Sequence, residues 1–259
     1  MSGILFDVKV VCVSLIVISL MLVGQSYAGI DPKTIVGAWR FNEGKGNVVK
    51  DASENGNDGK IDGAKWVDGK FGSKALRFNG KDNSVECGND KSFDITDTIT
   101  LAAWHKADVY NPDSFLIIKR NPDCSAGSYA LGPGPAKTRF WLRIKGGWRF
   151  AEVPSELSTG QWYHLAGTYN GKTLRIFLDG EEVGSTEFVG NIESNPATGV
   201  YLGRECCGKQ TYFDGIIDEP MIFNVALTEG DIKEIVRKGL SVSPSGKLAT
   251  AWGEVKTWY

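Results

Sequence analysis

The sequence lacks the marks of several large functional classes. It has no basic excess: 29 Lys and Arg stand against 31 Asp and Glu, for a net charge of −2. The electrostatic footprint of a nucleic-acid binder is therefore missing. Beyond the first segment, no apolar run approaches the length of a membrane span. There is no P-loop, dinucleotide fingerprint or H-E-x-x-H helix. There is no G-x-S-x-G elbow, and no nucleophile lies near either of the 2 histidines, His105 and His164. His164 is expected to hydrogen-bond within a sheet. No C-x-x-C spacing supports a zinc site. No repeat of 20–50 residues occurs, and no Pro/Ser-rich linker or charge run divides the chain. Leucine and alanine do not dominate, which argues against a helical bundle.

What is abundant is glycine, 32 of 259 residues, with 8 tryptophans. Short alternating runs separated by turn signals recur along the chain, as strands require. IVGAWRFN (35–42) is one such run. KALRFNG (74–80) and NSVECG (83–88) flank Gly80-Lys81-Asp82 and predict a hairpin. TITLAAWHKA (98–107), SFLIIKR (114–120), SYALG (128–132), TRFWLRIK (138–145) and WRFAEV (148–153) follow. WYHLAGTYN (162–170) turns through Asn170-Gly171 into TLRIFLDG (173–180), and Asn-Gly between alternating runs is a strong hairpin signal. Asp179-Gly180 turns again into EEVGSTEF. GVYLGR (199–204) and FDGIIDEPMIFN (213–224) complete about a dozen strands, enough for two packed sheets. One helix is expected, capped by Thr228 with Asp231 three residues on and stopped by Gly239; Ile232, Ile235 and Val236 form its apolar stripe. The fold class is therefore all-β: an antiparallel two-sheet sandwich with one short C-terminal helix.

Residues 1–28 have the form of a secretory signal. Lys9 precedes an uncharged apolar run at 10–24, and Ser26-Tyr27-Ala28 offers small residues at −3 and −1 of a cleavage site. No membrane span remains after cleavage, and the protein is expected to be secreted, extracellular or periplasmic. The organisation is then a signal at 1–28, one domain at 29–239 and a tail at 240–259. The tail carries Leu248, Trp252, Val255 and Trp258 and is expected to pack on the sandwich. Export suits the cysteines: Cys12 leaves with the signal, and Cys87, Cys124, Cys206 and Cys207 make an even count. Two disulfides are expected, with a long-range bridge from Cys124 to the adjacent pair favoured over a strained Cys206–Cys207 ring. Free thiols are the alternative.

Two patterns suggest binding chemistry. The run from Asp51 to Gly59, DASENGNDG, is dense in oxygen ligands of the kind a hard cation needs, although its spacing is not that of an EF-hand. The same Asp, Asn and Gly residues equally serve a turn by themselves. The second pattern is aromatic: Trp104, Trp141, Trp148, Phe150, Tyr169 and Tyr201 can line a sheet face or pack a core. In TRFWLRIK, Phe140, Leu142 and Ile144 share one face; Trp141, Arg143 and Lys145 share the other. Trp148 follows a two-glycine turn and belongs beside the second face. Sugar rings stack their C–H faces on indoles while Arg or Asn orients the hydroxyls. Trp141, Arg143 and Trp148 are therefore the candidate ligand site, with core packing as the alternative.

Five phrases in order, GAWRFNEGKGNVVKDASENGNDG (37–59), KFGSKALRFNG (70–80), ITLAAW (99–104), GQWYHLAGTYNGKTLRIFLDGEEV (160–183) and FDGIIDEPMIFNVALTEGDIKEI (213–235), together resemble laminin-G-like jelly-roll domains of the concanavalin A-like lectin/glucanase superfamily. The resemblance implies a two-sheet jelly roll that binds a glycan or extracellular polysaccharide, with surface proteins as alternative partners. It also implies a structural calcium, held by Asp51 and Asp218 with Glu43 as a further ligand. The glucanases of that superfamily carry paired carboxylates at alternate positions of one strand. Here Asp218-Glu219 and Glu181-Glu182 are adjacent and point to opposite faces of their strands. A non-catalytic module is expected, with a structural interaction protein second and a glycosidase third.

Overall fold

Most of the described regular elements are strands. The computed structural model of the protein describes residues 29–121, 127–205 and 211–240. The signal segment, Cys124, Cys206, Cys207 and the tail beyond Leu240 lie outside the described residues. In chain order the strands are β1 (Ile35–Ala38), β2 (Val48–Val49), β3 (Gly59–Asp62), β4 (Lys65–Asp68), β5 (Lys74–Asn79), β6 (Ser84–Glu86), β7 (Ile99–Val109) and β8 (Ile117–Arg120). They continue with β9 (Gly127–Gly132), β10 (Lys137–Ile144), β11 (Gly147–Pro154), β12 (Tyr163–Tyr169), β13 (Thr173–Leu178), β14 (Glu181–Glu187), β15 (Val200–Leu202) and β16 (Asp214–Phe223). One α-helix follows, α1 (Glu229–Lys238).

The strands form two eight-stranded antiparallel sheets, as the sequence predicts. The first runs β14-β13-β12-β7-β16-β5-β4, with β1 also paired to β16; the second runs β11-β10-β9-β8-β15-β6-β3-β2. The β12–β13 hairpin forms where Asn-Gly demands it: the Asn170 side-chain oxygen accepts from the Lys172 and Thr173 amides. The next hairpin turns on Asp179 and Gly180, both at positive φ (50° and 93°), the pairing a two-residue primed turn requires.

One predicted hairpin does not exist. β5 pairs with β4 and β16 in the first sheet, whereas β6 pairs with β3 and β15 in the second. Gly80-Lys81-Asp82 carries the chain from one sheet to the other. Alternation reports which face of a strand is buried and says nothing of its neighbour, so a crossover and a hairpin look alike in sequence. Strands β2, β3 and β4 were not anticipated, because two to four residues carry little period.

The core fills the space between the sheets, with Leu76, Phe78, Leu101, Phe140, Leu142, Leu165, Ile176 and Ile217 among its members. The sheets approach closely where Phe140 of β10 lies over Gly167 of β12: a Cβ on that glycine would stand 2.2 Å from the Phe140 ring. On the outer side of the first sheet, α1 lays Ile232 and Ile235 on Ala102, Ala166, Phe177 and Met221. Its ends are those expected. Thr228 and Asp231 form a reciprocal capping box, and Gly239 ends the helix at φ 72°.

Cys87 is a free thiol in the core, so it takes no part in the expected bridging. Its backbone belongs to the β6–β15 side of the second sheet, through the bond its amide donates to the Val200 carbonyl. Both histidines are fully buried, and neither ring has a hydrogen-bond partner at either nitrogen. The expectation for His164 is thus corrected: its main-chain amide bonds the Asp179 carboxylate, while its ring packs against Trp104. Burial lowers both imidazoles to about 3 from an ordinary 6.5.

Two outcomes follow. Gly167→Ala should overpack the contact with Phe140 and cost about 1–3 kcal/mol in urea unfolding. Each histidine is neutral in the folded protein and charges on unfolding. Its contribution is complete above about pH 6.5 and is lost as pH falls toward 3. Between those limits, the stability difference between the protein and His105→Leu should change by about 1.4 kcal/mol per pH unit.

Candidate functional site

The outer face of the second sheet gathers the residues singled out for ligand binding. Alternation along β10 sends Phe140, Leu142 and Ile144 into the core and Trp141 outward. The β10–β11 register places Trp141 opposite Phe150 and Arg143 opposite Trp148, so all four side chains share this face. The Trp141 and Trp148 rings meet edge-on with centroids 4.4 Å apart, and the Arg143 guanidinium lies 5.1 Å above Trp148. The three predicted residues are therefore one cluster.

Sequence reading missed the other half of it. Arg120, at the end of β8, stacks 5.5 Å from Trp141 and 4.9 Å from Trp148. Phe115 meets Trp141 edge-on at 5.7 Å. Gly127 makes this possible: a Cβ there would stand 2.9 Å from both the Trp148 ring and the Arg120 stem. Further along the face, Arg204 lies 4.9 Å over Tyr201. Carboxylates orient the guanidinium groups, Glu193 bonding Arg143 at 2.7 Å and Glu205 lying 3.4 Å from Arg120. Stacking and ion pairing together hold the planar cations in place.

Exposure separates the roles. Trp141 is only 4% exposed and supports the cluster from beneath. Phe150 is 38% exposed and Trp148 partly so, and these are the rings a ligand can reach. Two aromatics expected on this face are elsewhere. Tyr169 is buried in the core, its hydroxyl donating to the Phe188 and Gly190 carbonyls. Trp104 faces outward from the first sheet, under Lys70. Beyond Phe115 the face opens into a cleft of about 240 Å³ that includes Asp113, Pro133, Lys137 and Arg139. The arrangement offers ring faces beside fixed donors and acceptors, which is the chemistry that polyhydroxylated rings need.

The expected calcium ligands belong to hydrogen-bond systems of their own. Asp51 accepts four bonds: Oδ1 from the Ala38 and Ser53 amides, Oδ2 from the Ser53 hydroxyl and the Asn57 amide. Those are all its lone-pair positions, so it has none left for a cation. Asp218 is fully buried and accepts from the Lys70 amide, the Ser73 hydroxyl and the Glu219 amide. Burial raises its carboxyl above the ordinary range despite those bonds. Glu43 accepts from the Lys50 amide through one oxygen. Among the described residues, no three His, Cys, Asp or Glu side chains gather as metal ligands. The Asp51 and Asp218 carboxylates accept bonds in a turn and at a strand bend, whereas Glu43 Oε2 is buried without a partner.

The family model Laminin_G_3, of the concanavalin A-like lectin/glucanases superfamily, matches residues 79–233. The chain belongs to this family. Among curated proteins, mouse (Mus musculus) pappalysin-1 is 27% identical over 208 residues, covering 72% of the chain but only 13% of pappalysin-1 itself. Among solved structures, domain 4 of the Geobacillus stearothermophilus extracellular arabinanase AbnA, in complex with arabinotriose, superposes with a TM-score of 0.65 at 19% identity. It covers 78% of this chain and 98% of its own. The ligand binding domain of botulinum neurotoxin serotype D, in complex with N-acetylneuraminic acid, gives 0.61 at 12% identity, over 80% of this chain and 51% of the toxin domain. Both likenesses show the jelly-roll fold. Among the described residues, no helix of this laminin-G-like chain is long and apolar enough to cross a membrane.

The saturated Asp51 carboxylate predicts the response to metal. Adding millimolar calcium after chelation should leave the melting temperature within about 1 °C. A native site filled at 100 times its Kd would instead stabilise by about 2.7 kcal/mol.

Proposed function

We propose that this protein is a secreted, non-catalytic carbohydrate-binding module that takes its glycan on the outer face of the second sheet. Trp148 and Phe150 supply the stacking surface, Arg143 and Arg120 the directed donors, and Trp141 the support beneath them. The observation that carries this reading is the cluster of Trp148 between the Arg120 and Arg143 guanidiniums, lying on an outward face with Phe150 beside it. The arabinotriose and N-acetylneuraminic acid complexes of the structural neighbours favour the same ligand class. The first segment, 1–28, with its apolar run and small-residue cleavage pattern, supports export.

A glycan array followed by calorimetry tests the proposal. Trp148→Ala should weaken the best ligand at least tenfold, about 1.4 kcal/mol, with the melting temperature little changed. Undiminished glycan binding by Trp148→Ala and by Phe150→Ala would move the site off this face. Absence of any glycan ligand would return the module to the protein-interaction reading.

A further inference from the structure

The edge strands β11 and β14 close one side of the sandwich and leave between them a cleft of about 260 Å³. Val153 and Pro154 of β11, Leu178 of β13, Val183 of β14 and Leu157 from the β11–β12 connection form its apolar wall. Tyr163 and Thr138 line it from within the sandwich, and Glu156 is its one carboxylate.

Two features separate this cleft from an incidental crevice. Ile176 pairs with Gly184 and Phe177 with Glu182, so Val183 is the extra residue of a β-bulge. A bulge redirects the side chain it frees, and Val183 stands 41% exposed at the cleft. Beside it, a Cβ on Gly184 would lie 2.7 Å from Val153, so the two edge strands touch and hold that margin of the cleft. The polar groups divide sharply. The Tyr163 hydroxyl accepts from the Ser158 amide, and the Thr138 hydroxyl bonds Ser155. Glu156 is exposed, and among the described residues no ion pair holds it. The wall thus presents an apolar body with one available negative charge at its rim.

We propose that this cleft binds a small apolar cation, a ring or short chain bearing an ammonium group. The apolar body lies against Val153, Leu157, Leu178 and Val183, and the ammonium meets Glu156. The cleft, about 260 Å³ and open on one side, leaves room for a mono- or bicyclic ring. The site is on the side of the sandwich, apart from the Trp148 face, and does not rest on the glycan reading.

Tryptamine, indole and indole-3-acetate, titrated into the full chain and followed by calorimetry and NMR, provide the test. Tryptamine should bind with a Kd of about 0.1–1 mM. Indole should bind about two- to fivefold more weakly, and the acetate weaker still. Glu156→Gln should erase the advantage of tryptamine over indole and leave indole unchanged. Val183→Trp should fill the cleft and abolish binding of both, with amide spectra confirming an intact fold. If Val183→Trp unfolds the protein, Leu157→Trp provides the same reading from the loop side. Undetectable tryptamine binding, equal affinity for the cation and the anion, or binding unaffected by either filling variant overturns the proposal.

Discussion

A buried carboxylate at the middle of β16 decides how the first sheet is built. β16 pairs with β5 through residues 214–217 and with β1 through residues 221–223, so it changes partner part-way along its length. Its register with β7 shifts at the same point, between Asp218 and Met221, and Glu219 there adopts a left-handed φ of 45°. Asp218 holds this bend. Its side chain receives the Glu219 amide from its own strand and the Lys70 amide and Ser73 hydroxyl from the β4–β5 turn. Gly69 is needed beside it, because a Cβ there would stand 2.5 Å from Oδ2. Removing the carboxylate would leave buried amides unpaired, at about 1–3 kcal/mol for each. The Glu219 side chain lies at the end of α1, where a Cβ on Gly239 would stand 2.9 Å from its carboxylate oxygens. Burial and the neighbouring Asp218 raise its carboxyl to about 7, against the pull of Arg40.

The bend also makes the two outer faces different. By letting β1 join β16, it allows Ile35, Ala38 and α1 to cover the outer side of the first sheet with a second small core. The outer side of the second sheet carries Phe115, Trp141, Trp148 and Tyr201 with arginines laid over the rings. One face is closed by the chain's own helix, and the other carries the aromatic and arginine cluster. The Asp51 loop serves the same architecture. Its four accepted bonds tie β1 to the following turn, and the Trp39 indole donates to the Asn57 carbonyl at 2.8 Å. A loop whose composition suggested a cation is used as a brace for the first strand.

The fold was legible where a local rule forces the answer. The Asn170-Gly171 and Asp179-Gly180 turns, the faces of β10 and the Thr228–Asp231 capping box each follow from a few adjacent residues. The aromatic cluster was half legible for the same reason: Trp141, Arg143 and Trp148 share a hairpin, so period and turn bring them together. Arg120 and Phe115 belong to the β8 region and reach the site only through sheet order, of which the alternation of β8 carries no trace. Gly127 was a weak clue, since a glycine inside a strand often marks a close approach.

The sequence by itself determined the strand-rich class, the inward sides of β7 and β10, the Asn170-Gly171 and Asp179-Gly180 turns and the ends of the one α-helix. All of these are set by interactions within a few residues of chain. The tertiary structure alone decided which sheet each strand joins, as the β5–β6 crossover shows. It decided which amides and hydroxyls Asp51 and Asp218 receive. It decided that Cys87 stays a buried thiol and that both imidazoles are buried, with burial lowering their pKa to about 3. Each of those outcomes depends on contacts between distant segments, and a periodic pattern reports burial without naming the partner that provides it.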